Sequence, residues 1–285
     1  MSRAARPQPG AASLAVLARW DARAVLRDRW FISIAGAFAA LTVAAALVAL
    51  AGVDVIGVSA FGRVAATLVH LGMLFIPLLG LTAGALWIAG ERETGSLAMV
   101  LSQPVDRATV YAGKFLGVAW GMIGAVAVGL GSAGVLLALR AGTDRILGYL
   151  WLVVLSLLLA LATLAVGFAI SAAAPGRSRA LGAALVVWLG LVIVSDLGLL
   201  GTALALRLPA PAVLVLGSLN PVSAFRLAAV VGISGSAEVT GPVGIYAADR
   251  LGMGGMNALM IGILVAWALG AFLAGRARFL KTVQA

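Results

Sequence analysis

Cysteine is absent from this 285-residue chain, which excludes disulfide scaffolds, thiolate metal sites and thiol nucleophiles together. Imidazole is almost absent as well: His70 is the one histidine, and only ten Asp and Glu accompany it. General acid–base catalysis and metal binding need several such groups brought together. Charge of any kind is scarce, at 11% of residues. A soluble domain is about a quarter charged and about half apolar. Here 63% of residues are hydrophobic, 36 are glycine and the mean hydropathy is +1.13, so the chain belongs in a bilayer and a soluble enzyme is excluded. The net charge of +10 is no sign of nucleic-acid binding in such a chain, because placement between apolar runs matters more than the sum.

Runs of about 20 apolar residues cross the hydrocarbon core as helices. Six are present: Phe31 to Val53, Val64 to Gly90, Phe115 to Leu139, Ile146 to Pro175, Ala180 to Leu206, and Leu251 to Gly275. The expected fold is an all-α integral membrane protein of six spans, with both ends on one side. Residues 1–30 form a segment before the first span, 31–275 the membrane domain and 276–285 a tail. Lys and Arg fix the orientation. Fourteen of the 20 fall in the N-terminal segment, the Glu91–Lys114 loop, the Pro175–Arg179 loop and the tail. The remainder, Arg63, Arg140, Arg145, Arg207, Arg226 and Arg250, fall on the other side, half of them in a loop at about 207–250. The positive-inside rule therefore predicts cytoplasmic termini. The first run is too long, and starts too late, for a cleaved signal peptide. Leu208 to Phe225 is uncharged but holds Pro209, Pro211 and Pro221, which suits an external, partly re-entrant or interfacial element better than a seventh span.

Before the first span, Arg19, Arg23 and Arg27 recur at i, i+4, i+8, with Leu14, Leu17 and Val25 elsewhere and Trp20 and Trp30 suited to headgroup depth. That spacing predicts an amphipathic helix along the membrane surface rather than a plain basic flank.

Few motifs carry chemistry. Gly129, Gly131 and Gly134 satisfy G-x-G-x-x-G literally, yet they lie inside an apolar span and follow no strand, so no dinucleotide site is expected. No P-loop pattern exists; any ATPase that drives this chain is another polypeptide. His70 lacks neighbouring ligands, which favours a packed, hydrogen-bonded role over a metal site. Met253, Met256 and Met260 share a helical face, where flexible apolar packing outweighs a soft-metal contact. Asp196 stands alone in the fifth span beside Ser195. A carboxyl at such depth is costly unless paired, protonated or facing a polar interior, so three readings stand: a proton or ion site, a hinge that pairs differently in two states, or hydrogen-bonding glue. Gly80/Gly84 and Gly117/Gly121 have the small-xxx-small spacing of close helix contacts.

The loop from Glu91 to Lys114 is the most informative stretch. Thr94 is placed to cap a short helix through Leu97, Val100 and Leu101, ended by Pro104, and Asp106 to cap the next helix. A helix held along the membrane between two spans can transmit a push from a soluble partner.

At this loop the chain resembles the permeases of ABC transporters of the ABC-2 class. The pattern that carries the resemblance is Glu91-Arg92-Glu93-Thr94-Gly95-Ser96-Leu97, then Pro104, Arg107 and Gly113-Lys114. The resemblance implies that this loop is a cytoplasmic coupling helix docked on a separate P-loop ATPase subunit, with Glu91, Glu93 and Leu97 touching it. Many relatives carry an acid a few residues earlier, where this chain has Ala85-Leu86-Trp87, and its role is not carried over. The second half is similar to one subgroup, the permease subunit of the transporter that matures the copper centre of nitrous-oxide reductase. Ala180-Leu181-Gly182, Val187-Trp188, Val194-Ser195-Asp196-Leu197, Leu219-Asn220-Pro221 and Phe225-Arg226-Leu227 carry that likeness. It implies a homodimer in a bacterial inner membrane, two ATPase subunits binding ATP and Mg below, and a periplasmic β-helical subunit above. Asn220, Pro221 and Arg226 would then shape or contact the external partner.

Three function classes follow. The first is a non-catalytic ABC-2 permease subunit without cofactor or metal of its own, serving copper-enzyme maturation or, as the alternative, exporting a lipid, peptide, drug or glycan. The second is a secondary transporter using Asp196 and His70, which the near absence of a polar relay in the spans disfavours. The third, a membrane-embedded enzyme, lacks a nucleophile–base pair.

Overall fold

The structure, a computed structural model, describes residues 11–51, 58–141, 146–194, 209–234 and 241–282, all of them helical or in short connections between helices. The helices are α1 (Ala11–Val25), α2 (Arg29–Ala51), α3 (Val58–Thr94), α4 (Ser96–Leu101), α5 (Arg107–Ala141), α6 (Ile146–Ala173) and α7 (Arg177–Leu189), which runs on into a π-helical turn, Gly190–Val194. Then come α8 (Ala210–Ser218), α9 (Pro221–Ser234) and α10 (Gly241–Thr282). Among the described residues six stretches are long and apolar enough to cross a membrane: α2, α3, α5, α6, α7 with its π turn, and α10. The chain is a six-span, all-α membrane protein.

The spans lie where the apolar runs place them, but their ends differ. α3 continues through Thr94, so Glu91, Arg92 and Glu93 sit on its last turn rather than in a loop, and α5 begins at Arg107. α10 starts ten residues before its apolar run and carries a break at Gly252, whose φ of 68° and ψ of 165° are accessible to glycine at no steric cost. Only part of the fifth expected span is described. Asp196 and Ser195 lie outside the described residues, as do residues 1–10 and Arg207.

The centre of the bundle is the α3/α6 pair, and glycine sets its spacing. A Cβ on Gly84 would meet Leu164 O at 2.6 Å and Phe168 N at 2.9 Å, and one on Gly167 would meet Leu81 O at 2.6 Å and Gly84 Cα at 3.0 Å. The two backbones touch, which is how helices gain dispersion contacts where no water drives them together. α10 packs on the outer side of α6, joined through an aromatic cluster in which Tyr111 and Phe115 of α5 meet Phe168, Phe272 and Phe279. Met256 and Met260 are fully buried and Met253 partly, consistent with apolar packing of that stripe. Two of the G-x-G-x-x-G glycines are likewise packing positions, Gly129 against Phe38 and Gly134 against Tyr149, while Gly131 has open space beside it.

α8 and α9 meet at an angle of 115°, the geometry of a broken span or re-entrant loop. Asn220 makes the corner. Its amide donates to Leu191 O at 2.6 Å, while its Oδ1 accepts from Val222 N at 2.8 Å at the start of α9. The prolines thus fall at helix starts, where a missing N–H costs nothing.

His70 is hydrogen-bonded but not packed. Its Nδ1 is 2.8 Å from Ala66 O one turn back, and the residue is exposed on the outside of α3.

Candidate functional site

Asp21, Glu91, Arg92, Glu93, Lys114 and Arg177 gather where α1, the last turn of α3, α4 and the first turns of α5 and α7 converge. α1 is held there by a glycine stripe. Gly113, Gly117 and Gly121 recur every four residues on α5, and they receive Leu17, Asp21 and Val25, which recur every four residues on α1. A Cβ on Gly117 would come within 2.5 Å of Asp21 Cβ and 2.6 Å of Ala18 O. Arg19 and Arg23 are exposed away from that face, and Trp20 and, just past the end of α1, Arg27 are exposed beside it. The face turned to α5 is made by small residues and Asp21 as much as by Leu17.

The close approach seats Asp21 beside Lys114. Lys114 Nζ donates to Glu91 Oε1 at 2.6 Å and lies 3.6 Å from Asp21 Oδ1, and Trp87 Nε1 donates to that same Asp21 oxygen at 2.8 Å. The Lys114 and Asp21 side chains are 3% and 5% exposed. Buried charges persist when paired and hydrogen-bonded, and here one ammonium serves two carboxylates from two helices. The cluster ties α1, α3 and α5 at one point.

The next two residues fasten the end of α3 to the α6–α7 connection. The Arg92 guanidinium donates to Ala174 O and, at 3.3 Å, to Ala172 O, carbonyls that the end of α6 leaves without intrahelical partners. Glu93 Oε2 accepts from Arg177 N at 2.7 Å, at the first turn of α7. The residue at that N-cap is Gly176, which has no side chain to cap with, so Glu93 supplies the acceptor from another helix.

Thr94 does not cap α4. It ends α3, and its hydroxyl donates back to Gly90 O and Glu91 O. Gly95 stands at the N-cap with φ 76°, a left-handed conformation that turns the chain sharply. Asp106 caps α5 as its position predicts, accepting from Ala108 N at 3.1 Å and Thr109 N at 3.3 Å. α4 roots itself through Leu97, 5% exposed, and turns Met99 outward at 73% exposure, with Ser102, Gln103 and Pro104 exposed beyond it.

Of the residues expected to touch an ATPase, therefore, Leu97 is enclosed, Glu91 is engaged by Lys114, and Glu93 is exposed while bonded to α7. Arg107 is partly exposed at the start of α5. Asn220 and Pro221 are buried and Arg226 is partly so. Sequence reasoning missed Asp21, Trp87 and Met99. Asp21 had one signal, an acid inside an otherwise basic helix facing a glycine stripe. Among the described residues no group of three or more His, Asp and Glu is arranged to hold a metal ion.

Comparison with known proteins agrees with this architecture. The family described as "ABC-2 family transporter protein" matches residues 15–282. The "Probable ABC transporter permease protein NosY" of Stutzerimonas stutzeri is 31% identical over 248 residues, covering 81% of this chain and 86% of that protein. The protein of the same name from Pseudomonas aeruginosa is 33% identical over 190 residues, covering 65% of this chain and 68% of its own length.

Proposed function

Since the chain belongs to the ABC-2 family of transporter proteins and is a non-catalytic permease subunit coupled to an ATPase, we propose that it works in maturing the copper centre of nitrous-oxide reductase. The likeness to the two NosY permeases supports that assignment, together with Leu219-Asn220-Pro221 and Phe225-Arg226-Leu227 in the second half. In this reading the chain sits as a homodimer in the bacterial inner membrane with both termini cytoplasmic. It sets α1 along the inner surface, and carries a periplasmic β-helical subunit over α8 and α9. Asn220 and Pro221 shape that outer surface, and Arg226 lies beside them.

The observation that carries the coupling role is the mounting of α4. Arg92 and Glu93 fasten its base to the α6–α7 connection, Leu97 anchors it, and Gly95 aims it. The ATPase then meets Met99, Ser102, Gln103 and Pro104 together with the exposed sides of Thr94 and Arg107. A push on that face is delivered to the ends of α3, α5, α6 and α7 at once, through Glu91 and Lys114 on one side and Arg92 and Glu93 on the other. Met99 is exposed and apolar, of a residue type enriched at protein interfaces.

The test is co-purification of the tagged chain from native membranes in mild detergent, followed by mass spectrometry. A P-loop ATPase together with a periplasmic repeat protein is expected, and Met99→Glu is expected to lose the ATPase while retaining the periplasmic protein. An ATPase without the periplasmic protein would overturn the maturation role in favour of an exporter of another substrate. Absence of both would bring forward a stand-alone transporter using Asp196.

A further inference from the structure

Beside the coupling cluster, and on the membrane side of it, α1, the start of α2, α3 and the first turn of α7 line an open-mouthed cavity of about 430 Å³. That volume falls in the roughly 300–1,000 Å³ range of small-molecule sites. Its walls divide by chemistry. One end is mostly apolar, with Phe31, Leu79, Ala83 and Leu86 beside Thr82. Toward the end of α3 the lining includes Arg27, Arg177, Asp28 and Glu91, together with Trp20, Trp30 and Trp87. Among the described residues neither arginine has an ion-pair partner, since both salt bridges belong to Lys114. Glu91 spends Oε1 on Lys114 and keeps Oε2 enclosed without a hydrogen bond.

The charges balance. Asp21, Glu91 and Lys114 together carry one net negative charge and Asp28 a second, against the positive charges of Arg27 and Arg177. Such a site repels neither sign, and offers separated partners to a group carrying both.

We propose that this cavity holds the headgroup of a zwitterionic phospholipid with a primary ammonium, phosphatidylethanolamine. Arg27 and Arg177 take the phosphate. Asp28 and Glu91 take the ammonium, whose three N–H donors supply what Glu91 Oε2 lacks, and the indole faces of Trp20 and Trp30 add cation–π attraction. One acyl chain starts down the wall of Phe31, Leu79, Ala83 and Leu86. The occupant is a lipid rather than a soluble zwitterion because the polar end and the apolar wall are continuous, and tryptophans at their junction suit headgroup depth. Bound there, the lipid spans α1, α3 and α7, next to the residues that fasten α4.

The experiment is native mass spectrometry of the full-length chain, delipidated in detergent and titrated with dioleoyl phosphatidylethanolamine, phosphatidylcholine and phosphatidylglycerol. Phosphatidylethanolamine is expected to bind at least about tenfold more tightly than the other two. Arg27→Ala with Arg177→Ala is expected to remove that preference while the protein stays monodisperse, because both residues lie outside the packed core. Arg27→Lys with Arg177→Lys keeps the charge and is expected to retain part of it. A hundredfold excess of soluble glycerophosphoethanolamine should leave lipid binding unchanged. Equal retention of the three lipids overturns the proposal. So does a preference for phosphatidylcholine or phosphatidylglycerol, insensitivity to the alanine pair, or full competition by the soluble headgroup.

Discussion

Replacing Lys114 by Met keeps the length and apolar stem of the side chain and removes its charge, which leaves Asp21 and Glu91 facing each other without a cation. Breaking a buried ion pair by removing one partner costs about 3–5 kcal/mol, because the abandoned charge remains desolvated. Asp21 and Lys114 are nearly sealed, which argues for that range, but the Glu91 side chain is 25% exposed and water screens part of its charge. The lower end, about 3 kcal/mol, is therefore expected. A chain of this size loses about 2–4 °C in Tm per kcal/mol, so Lys114→Met should melt about 6–12 °C below the parent. The assay is thermal unfolding of the purified chain in detergent followed by tryptophan fluorescence. Trp87 reports directly, since its indole donates to Asp21. The same argument fixes a second outcome. Lys114→Met combined with Asp21→Asn and Glu91→Gln removes the stranded charges and should recover most of the lost Tm. A single variant melting within about 2 °C of the parent, or a triple variant no better than the single, would refute the view that this cluster ties the three helices together.

Two further outcomes follow from the packing. Gly117→Val should drive α1 off α5, since its Cβ meets Asp21 Cβ at 2.5 Å and backbone atoms of Ala18 and Ala22. At about 2 kcal/mol of overpacking, trypsin should cut at Arg19 and Arg23 roughly thirtyfold faster, whereas Gly124→Ala, with nothing within 4 Å, should leave the rate unchanged. Asn220→Leu removes the donor to Leu191 O and the acceptor for Val222 N, and should cost about 1–3 kcal/mol in thermal unfolding. Asn220→Asp, which keeps the acceptor alone, should fall between Asn220→Leu and the parent.

The spans were legible because hydrophobic length is a one-dimensional property. A bilayer core demands about 20 apolar residues whatever their neighbours. The ends of the helices were less so. Glu91, Arg92 and Glu93 interrupt an apolar run, and on hydropathy alone they close the span. The structure continues the helix through them because the carbonyls of α6, the N–H of Arg177 and Lys114 stabilise their charges. Those partners are 23 to 84 residues away in sequence. Thr94 shows the same limit on a smaller scale. A threonine before an apolar helix suits a cap, but a glycine follows it, and Gly95 can take the left-handed conformation that makes the turn without any side chain. Asp106, with no glycine to compete, caps as expected. The inner face of α1 was hidden for another reason: helix contact through glycine leaves no hydrophobic periodicity on the partner, so Asp21 looked like one more charge on a basic helix.

Arg92 and Glu93 are neighbours in sequence, yet they read opposite poles of two different helices. The guanidinium sits on the carbonyl end of α6, and the carboxylate on the amide end of α7. Each is of the sign that the terminus attracts. The information in this dipeptide is therefore its order rather than its composition. Arg92→Glu with Glu93→Arg conserves every charge in the chain and puts each against a terminus that repels it. A run of alternating acids and bases that a composition count treats as interchangeable is, at this elbow, a directional connector that fits only one way round.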